Sequence, residues 1–166
     1  MRNKLRLGMI GGGKDSFIGS VHRTASRIDD KYIFVAGCLS STPEKSKISG
    51  NELGLHPSRI YNSFKEMADK ESKREDGIDV VSIVTPNHMH SDPAIAFLQK
   101  DIHVICDKPM TATIEQALKL YDEVKKSSAN FFLTHNYSGY PVIREIRQLI
   151  LNGEIGKIRK VKGQYL

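Results

Sequence analysis

The sequence predicts an α/β fold with a doubly wound parallel sheet, on three observations. Short apolar runs alternate about six times with longer amphipathic ones, joined by brief connections. Right-handed crossovers then place helices on both faces of a parallel sheet. The run "DVVSIVT", Asp79–Thr85, is nearly all apolar and β-branched, the pattern of a strand buried on both faces. Four glycines fall between Gly11 and Gly19, directly after the first apolar run and before the first helical pattern.

The elements follow in order. Lys4–Ile10 reads as a strand, and Ile18, Val21, Ala25 and Ile28 then recur at helical spacing. Ile33–Leu39 is the second strand. Thr42-Pro43 supplies an N-cap and a first-turn proline for a helix to about Asn51. Arg59–Tyr61 reads as a short strand, and Ser63 with Glu66 forms a capping box for a polar helix to about Arg74. Past Asp79–Thr85, Asp92-Pro93 opens a helix and His103–Cys106 is another buried strand. Thr113 with Gln116 makes a second capping box, after which Ile114, Ala117, Leu118, Tyr121 and Val124 line one helix face. Phe131–Thr134 is the last strand of the alternation.

The character then changes. Pro141 opens a helix with Val142, Ile143, Ile146, Leu149 and Ile150 expected inward, closed by Asn152-Gly153 as a C-cap. "RKVKGQYL", Arg159–Leu166, sets Val161 and Tyr165 opposite Lys160, Lys162 and Gln164, an amphipathic strand of antiparallel type.

Composition narrows the function. The 166 residues suit about one domain. The net charge is +6, but basic residues mix with acids, as in "EMADKESKRED". That is a solvated face rather than a nucleic-acid surface, although "KIRKVK" keeps a basic nucleic-acid-binding domain as a weaker alternative. No apolar run approaches the ~20 residues needed to cross a bilayer, and nothing resembles a signal peptide. The expectation is a cytoplasmic protein with neither a nucleic-acid nor a membrane partner. Cys38 and Cys106 lie in apolar, strand-like segments outside any CxxC pair and read as reduced core thiols. His88 and His90 have no matching cysteine or acid cluster, so no metal is expected. His22 reads as packing or surface.

In an open parallel sheet, ligands bind beyond the carboxyl ends of the strands. A helix N-terminus there offers bare N–H groups and a positive dipole end to a phosphate. Gly11 and Gly13 supply a G-x-G, and Ser16, Phe17 and Ile18 open the helix. These residues are the candidate pyrophosphate site. Ser16 stands where a third glycine is expected, and Gly19 comes late, so the turn is longer than usual. Glycines that merely make the turn explain the same pattern. The second strand ends without an acid, in Ser40, Ser41 and Thr42. Small hydroxyls there accept a 2′-phosphate and Lys45 pairs with it, which slightly favours NADP over NAD. A helix N-cap with an exposed lysine accounts for these residues equally well.

Two further segments end later strands: "IVTPNHMH", Ile83–His90, and "HVICDKPMTATIEQA", His103–Ala117. With the glycine turn, and in this order, they resemble the Gfo/Idh/MocA oxidoreductases, whose pattern is a glycine turn, T-P-N-x-x-H, then E-K-P. The resemblance runs from about Lys4 to the end of the chain. It implies a Rossmann-type nucleotide domain, an NAD(P) cofactor, and hydride transfer to or from a sugar or polyol carbon. It implies that Ser40 lies near the adenosine ribose and that Thr85, Pro86, Asn87 and His90 line the nicotinamide side. Asp107 and Lys108 would flank the nicotinamide, with Lys108 the catalytic residue at the substrate hydroxyl and Pro109 fixing the turn through a cis bond. A lysine there can donate to, and stabilise, the oxygen of a developing carbonyl.

The chain departs from that pattern in its shorter D-K-P acid, its longer glycine turn, and "LTHNYSGYP", which leaves Asn136 and Tyr137 as pocket candidates. Family members are longer, with a mostly antiparallel second domain carrying a D-x-x-x-H acid/base motif that this sequence lacks. The expected organisation is therefore a nucleotide domain over 1–136 and the start of a truncated α+β substrate domain over 137–166. Hydride transfer by this piece alone should be very slow, and the full-length form is expected to be a homo-oligomer. A non-enzymatic dinucleotide sensor is the alternative.

Overall fold

Strand β1 (Leu5–Gly11) lies inside the sheet, with β2 (Tyr32–Cys38) hydrogen-bonded on one side and β3 (Val80–Val84) on the other. The computed structural model describes residues 4–164. Beyond β3 come β4 (His103–Cys106) and β5 (Phe131–Leu133), giving a five-stranded, wholly parallel sheet in the order β2-β1-β3-β4-β5. Every residue of β3 is buried, as its unbroken apolar run requires. The chain leaves β1 towards β2 and returns to β3 on the opposite side of β1, so the strand order reverses between β1 and β3. This is a doubly wound, Rossmann-type sheet.

The short strand expected at Arg59–Tyr61 is reduced to a single parallel bridge. Gly37 pairs with Ile60, and the Tyr61 N–H donates to Gly37 O at 2.8 Å. A 3-10 turn at Pro57–Arg59 precedes it and leaves no room for a longer ladder. A buried ion pair holds this outer edge. Arg59 donates through Nε and Nη2 to Glu71, the last residue of helix α3 (Phe64–Glu71), and Glu71 also accepts from Tyr61 Oη and Ile78 N–H.

The helices α1 (Phe17–Ile28), α2 (Pro43–Glu52), α3, α4 (Ser91–Leu98) and α5 (Ile114–Lys126) connect the strands. Ser63 and Thr113 cap α3 and α5 through the N–H groups of Glu66 and Gln116, as their spacing predicts. Thr42 precedes α2 without a side-chain cap bond. The main core joins Ile10, Val81, Ile83, Val104 and Cys106 of the sheet to Met67, Phe97, Leu98 and Leu120 of α3, α4 and α5.

Two helices turn differently from the apolar spacing. On α1 the residues against the sheet are Gly19, His22 and Arg23, whereas Val21 is 42% and Ile28 76% exposed. The close approach of Gly19 to the chain after β1 sets this rotation, and the polar residues it turns inward find polar partners. On α5 the buried residue is Leu120, with Ala117 and Val124 half-buried; Ile114, Leu118 and Tyr121 are exposed. A helix on an open sheet covers only one narrow stripe, and the sequence offered α5 two.

By internal contacts the chain divides into two units, at Thr134/His135. In the second, a 3-10 turn at Asn136–Gly139 leads into α6 (Pro141–Leu151), which ends at Asn152-Gly153 as expected. Gly153 has φ +75°, its N–H donates to Ile150 O, and Glu154 N–H donates to Leu149 O, closing a Schellman cap. The apolar face of α6 is not inward: Val142, Ile143, Ile146 and Ile150 are exposed, because this unit has no sheet among the described residues to cover them. Residues 159–164 form no strand. A lone amphipathic segment has no ladder partner here to fix it as one. Tyr165 and Leu166, the end of that expected strand, lie outside the described residues.

Candidate dinucleotide site

The strand register lines up the carboxyl ends that carry the motifs. Gly11 pairs with Val84, Ile83 with Cys106, and Cys106 with Leu133. The glycine turn, the Thr85 loop and the Asp107 loop therefore leave the sheet side by side at the reversal of strand order, where open α/β sheets bind ligands.

The glycine turn is packed more tightly than its sequence discloses. Gly11 and Gly12 have φ of +76° and +71°, a region that favours glycine. A Cβ on Gly12 would fall 2.6 Å from Met9 Sδ, and one on Gly13 2.9 Å from Ser49 Oγ. A Cβ on Gly19 would stand 2.4 Å from Gly12 Cα, backbone against backbone. Gly19 thus serves as the third glycine, letting the helix touch the turn. Ser16, at the position where the fingerprint expects that glycine, is instead the N-cap and accepts from Gly19 N–H.

The remaining contacts leave a defined set of donors. Gly13 N–H donates to Leu39 O at 3.1 Å and Lys14 N–H to Ser49 Oγ at 3.2 Å. Ser16 Oγ takes the third first-turn donor, so the N–H groups of Phe17 and Ile18 have no intrahelical acceptor. A cradle emptied of side chains, edged by two bare N–H groups at a positive helix end, suits a pyrophosphate.

At the tip of β2, Ser40 is half-buried, and Ser41 and Lys45 are exposed. Ser40 Oγ accepts from Thr42 N–H. No carboxylate stands within Ser40–Thr42. Ser46 holds this tip, with Oγ accepting from Leu39 N–H and donating to Tyr61 O.

On the other side, Thr85 is half-buried, whereas Pro86 and Asn87 are exposed on a 3-10 turn. His90 is buried at 1% exposure, with Nε2 2.8 Å from Thr85 O and Nδ1 2.8 Å from Pro109 O. A neutral ring donates to one such carbonyl and a doubly protonated ring to both. Either way, both nitrogens join the two motif loops, so His90 shapes the wall from behind. The Lys108-Pro109 peptide is cis, and both residues are exposed. His88 is exposed while His90 is enclosed, so they form no joint ligand pair.

Asp107 does not project freely into the cleft. Its Oδ1 accepts from Thr134 Oγ1 at 2.7 Å and lies 3.7 Å from His22 Nε2, while His22 Nδ1 is 2.8 Å from Ser82 Oγ. Burial pushes the His22 imidazole below its ordinary range, and the Asp107 charge opposes that shift. His22, read from the sequence as packing or surface, contacts Asp107 and Ser82, and Arg23, Ser46 and Ser49 carry contacts that the sequence reading did not include. Asn136 belongs to the second unit.

The comparisons decide the family. Residues 5–135 match the Gfo/Idh/MocA model, described as an oxidoreductase family with an NAD-binding Rossmann fold. The chain belongs to this family. An oxidoreductase from Sinorhizobium meliloti is 57% identical, with a TM-score of 0.90 over 93% of this chain and 43% of that one. The inositol dehydrogenase homolog from Azotobacter vinelandii, solved with NADH and myo-inositol, is 34% identical, with a TM-score of 0.90 over 96% of this chain and 42% of that one. Levoglucosan dehydrogenase of Pseudarthrobacter phenanthrenivorans is 33% identical over 98% of this chain and 41% of its own length. The chain therefore spans about two fifths of the curated relatives it matches. No helix among the described residues is long and apolar enough to cross a membrane.

Proposed function

We propose that this chain is the nucleotide-binding part of an NAD(P)-dependent oxidoreductase that moves hydride to or from a hydroxyl-bearing carbon of a sugar or polyol. The observation that carries this reading is the glycine turn, where a Cβ is barred at Gly12, Gly13 and Gly19 beside the unclaimed N–H groups of Phe17 and Ile18. Gly11, Gly13, Ser16, Phe17 and Ile18 would hold the pyrophosphate. Ser40, Ser41 and Lys45 would meet the adenosine ribose, and the missing carboxylate there favours NADP slightly. Thr85, Pro86, Asn87 and Pro109 would face the nicotinamide end, with His90 and Asp107 fixing the loops that carry them.

The nicotinamide supplies the hydride acceptor or donor. Lys108, exposed on its loop, would hold the substrate oxygen and stabilise charge on it as the carbonyl forms. Relatives solved or named with inositol and levoglucosan support the polyol class. The nucleotide domain would extend over 1–136, with 137–166 beginning a substrate domain, and the full-length form would be a cytoplasmic homo-oligomer. Isothermal calorimetry with NAD(H) and NADP(H) tests the reading. Micromolar binding, modestly tighter for NADP(H), is expected; no heat with either on folded protein refutes it.

A further inference from the structure

The two buried arginines among the described residues are treated differently. Arg59 is 7% exposed and donates to Glu71, which is 1% exposed. Arg23 is 6% exposed, and no carboxylate among the described residues lies within ion-pair distance of it. Its Nη1 donates to Gly12 O and lies 3.5 Å from Met9 Sδ. The Arg27 charge acts on it and repels. Burial and that repulsion push the guanidinium below its ordinary range, yet arginine keeps its proton in proteins. A buried charge is normally paired, because an unpaired one is costly to hold out of water.

The place of this unpaired charge is specific. Arg23 lies one helical turn past Gly19, on the face of α1 turned to the sheet, and grips the carbonyl of the middle glycine of the turn. Gly12 O accepts from Arg23. The Phe17 and Ile18 N–H groups open the helix that follows the same turn.

We propose that Arg23 is a positioning residue for a nucleoside diphosphate moiety, fixing the glycine turn through Gly12 O and supplying the cation that the ligand's diphosphate balances. The proposal rests on the glycine turn being a diphosphate cradle. It extends that reading to a residue that does not touch the ligand. The free protein then carries an uncompensated cation, and diphosphate binding relieves it. Relief of that cation would tighten diphosphate affinity, and the ligand-induced rise in thermal stability would follow that affinity.

The test compares ADP, adenosine and NADH on this chain, by calorimetry and by competition for the weaker ligands. The variants are Arg23→Gln, which keeps an N–H donor without charge, and Arg23→Lys, which keeps the charge. One charge acting through a peptide unit at an effective dielectric of ~20 changes diphosphate affinity about tenfold. Arg23→Gln should lose about tenfold for ADP and NADH while holding adenosine within about twofold. Its melting temperature without ligand should be unchanged or higher, and its ADP-induced rise smaller than in the parent. Arg23→Lys should stay within about threefold for ADP. The proposal is overturned if Arg23→Gln keeps its ADP affinity, if it loses adenosine equally, or if Arg23→Lys falls as far. Should Arg23→Gln not fold, the Arg23→Lys result decides alone. If the parent chain bound no NADH, the cradle reading would fail, and the role of Arg23 with it; NADH binding with no effect of charge removes only the latter.

Discussion

Gly19→Ala is the sharpest probe of the glycine turn. An ideal Cβ at Gly19 falls 2.4 Å from Gly12 Cα, 2.7 Å from Gly12 O and 2.8 Å from Gly12 C. All three are backbone atoms, so no flexible side chain can yield. Gly12 cannot retreat freely, because a Cβ-bearing wall of Met9 and Val84 lies behind it and Arg23 holds its carbonyl. Overpacking of this kind costs about 1–3 kcal/mol. Alanine returns up to about 1 kcal/mol of helix propensity. The net loss should be about 1–2 kcal/mol, which for a chain of this size lowers Tm by about 2–8 °C. Dinucleotide affinity should fall further, by more than about tenfold, because the helix end and the turn must separate where the ligand would bind both. Gly139→Ala is the control, since nothing lies within 4 Å of its Cβ and its φ is not positive. Thermal unfolding and NADH titration read the two effects separately. If Gly19→Ala matched the parent in both, the close approach would not be what shapes this site.

Four other outcomes follow from the same contacts. Glu71→Gln leaves the Arg59 guanidinium only the more distant Asp76 carboxylate, at 3.6 Å, and should cost about 3 kcal/mol in urea unfolding. Replacing both partners with Met should recover only part of this, because Tyr61 Oη and Ile78 N–H also lose their acceptor. His22 holds its proton less tightly when folded than when unfolded. The unfolded chain therefore binds more protons there, and stability is complete above the ordinary histidine range and falls as pH drops through it towards the lower folded value. His22→Gln should flatten the fall of the urea midpoint from pH 8 to 5, and an unchanged slope refutes the assignment. Burial pushes the Cys38 thiol up to about 11 and the Cys106 thiol up to about 12. Iodoacetamide at pH 8 should label neither in the native state and both in urea, by mass spectrometry. His90→Ala leaves the Thr85 and Pro109 carbonyls without their shared donor, and should weaken NADH binding several-fold while lowering stability by about 2–4 kcal/mol.

The sheet was legible because β3 and β4 have no polar alternative. "VVSIV" is buried throughout and "HVIC" at Val104 and Cys106, and their register brings the motifs together. The helix faces were less legible, because spacing reports where apolar residues recur but not which side a contact selects. On α1 one backbone contact at Gly19 outweighs the stripe of Val21 and Ile28 and turns His22 and Arg23 inward. The same blindness hid Ser49, whose hydroxyl holds Lys14 N–H across 35 residues of sequence. One signal was available: the Ser46-Lys47-Ile48-Ser49 spacing puts two hydroxyls on one face of α2, beside a strand end with bare donors. For Gly19, the run Gly11-Gly12-Gly13 already implied a turn tight enough to need a bare partner.

The site's polar groups divide by whether the fold has already engaged them. Ser16, Ser46 and Ser49 satisfy backbone N–H groups of the turn and the β2 tip. His90 joins the Thr85 and Pro109 loops, and Thr134 holds Asp107. Each of these removes a freedom that a bound ligand would otherwise have to remove, which is what preorganisation means energetically. What the fold leaves open is the Phe17 and Ile18 N–H pair, the Arg23 charge, which has no carboxylate partner among the described residues, and the exposed Lys108. Two of these suit an anion, and the third suits an oxygen gaining charge. The engaged set fixes where a ligand lies and the unengaged set fixes its charge. Substitutions in the first should therefore alter stability and affinity together, whereas Lys108→Met should leave both nearly unchanged and, on the proposed function, remove only hydride transfer.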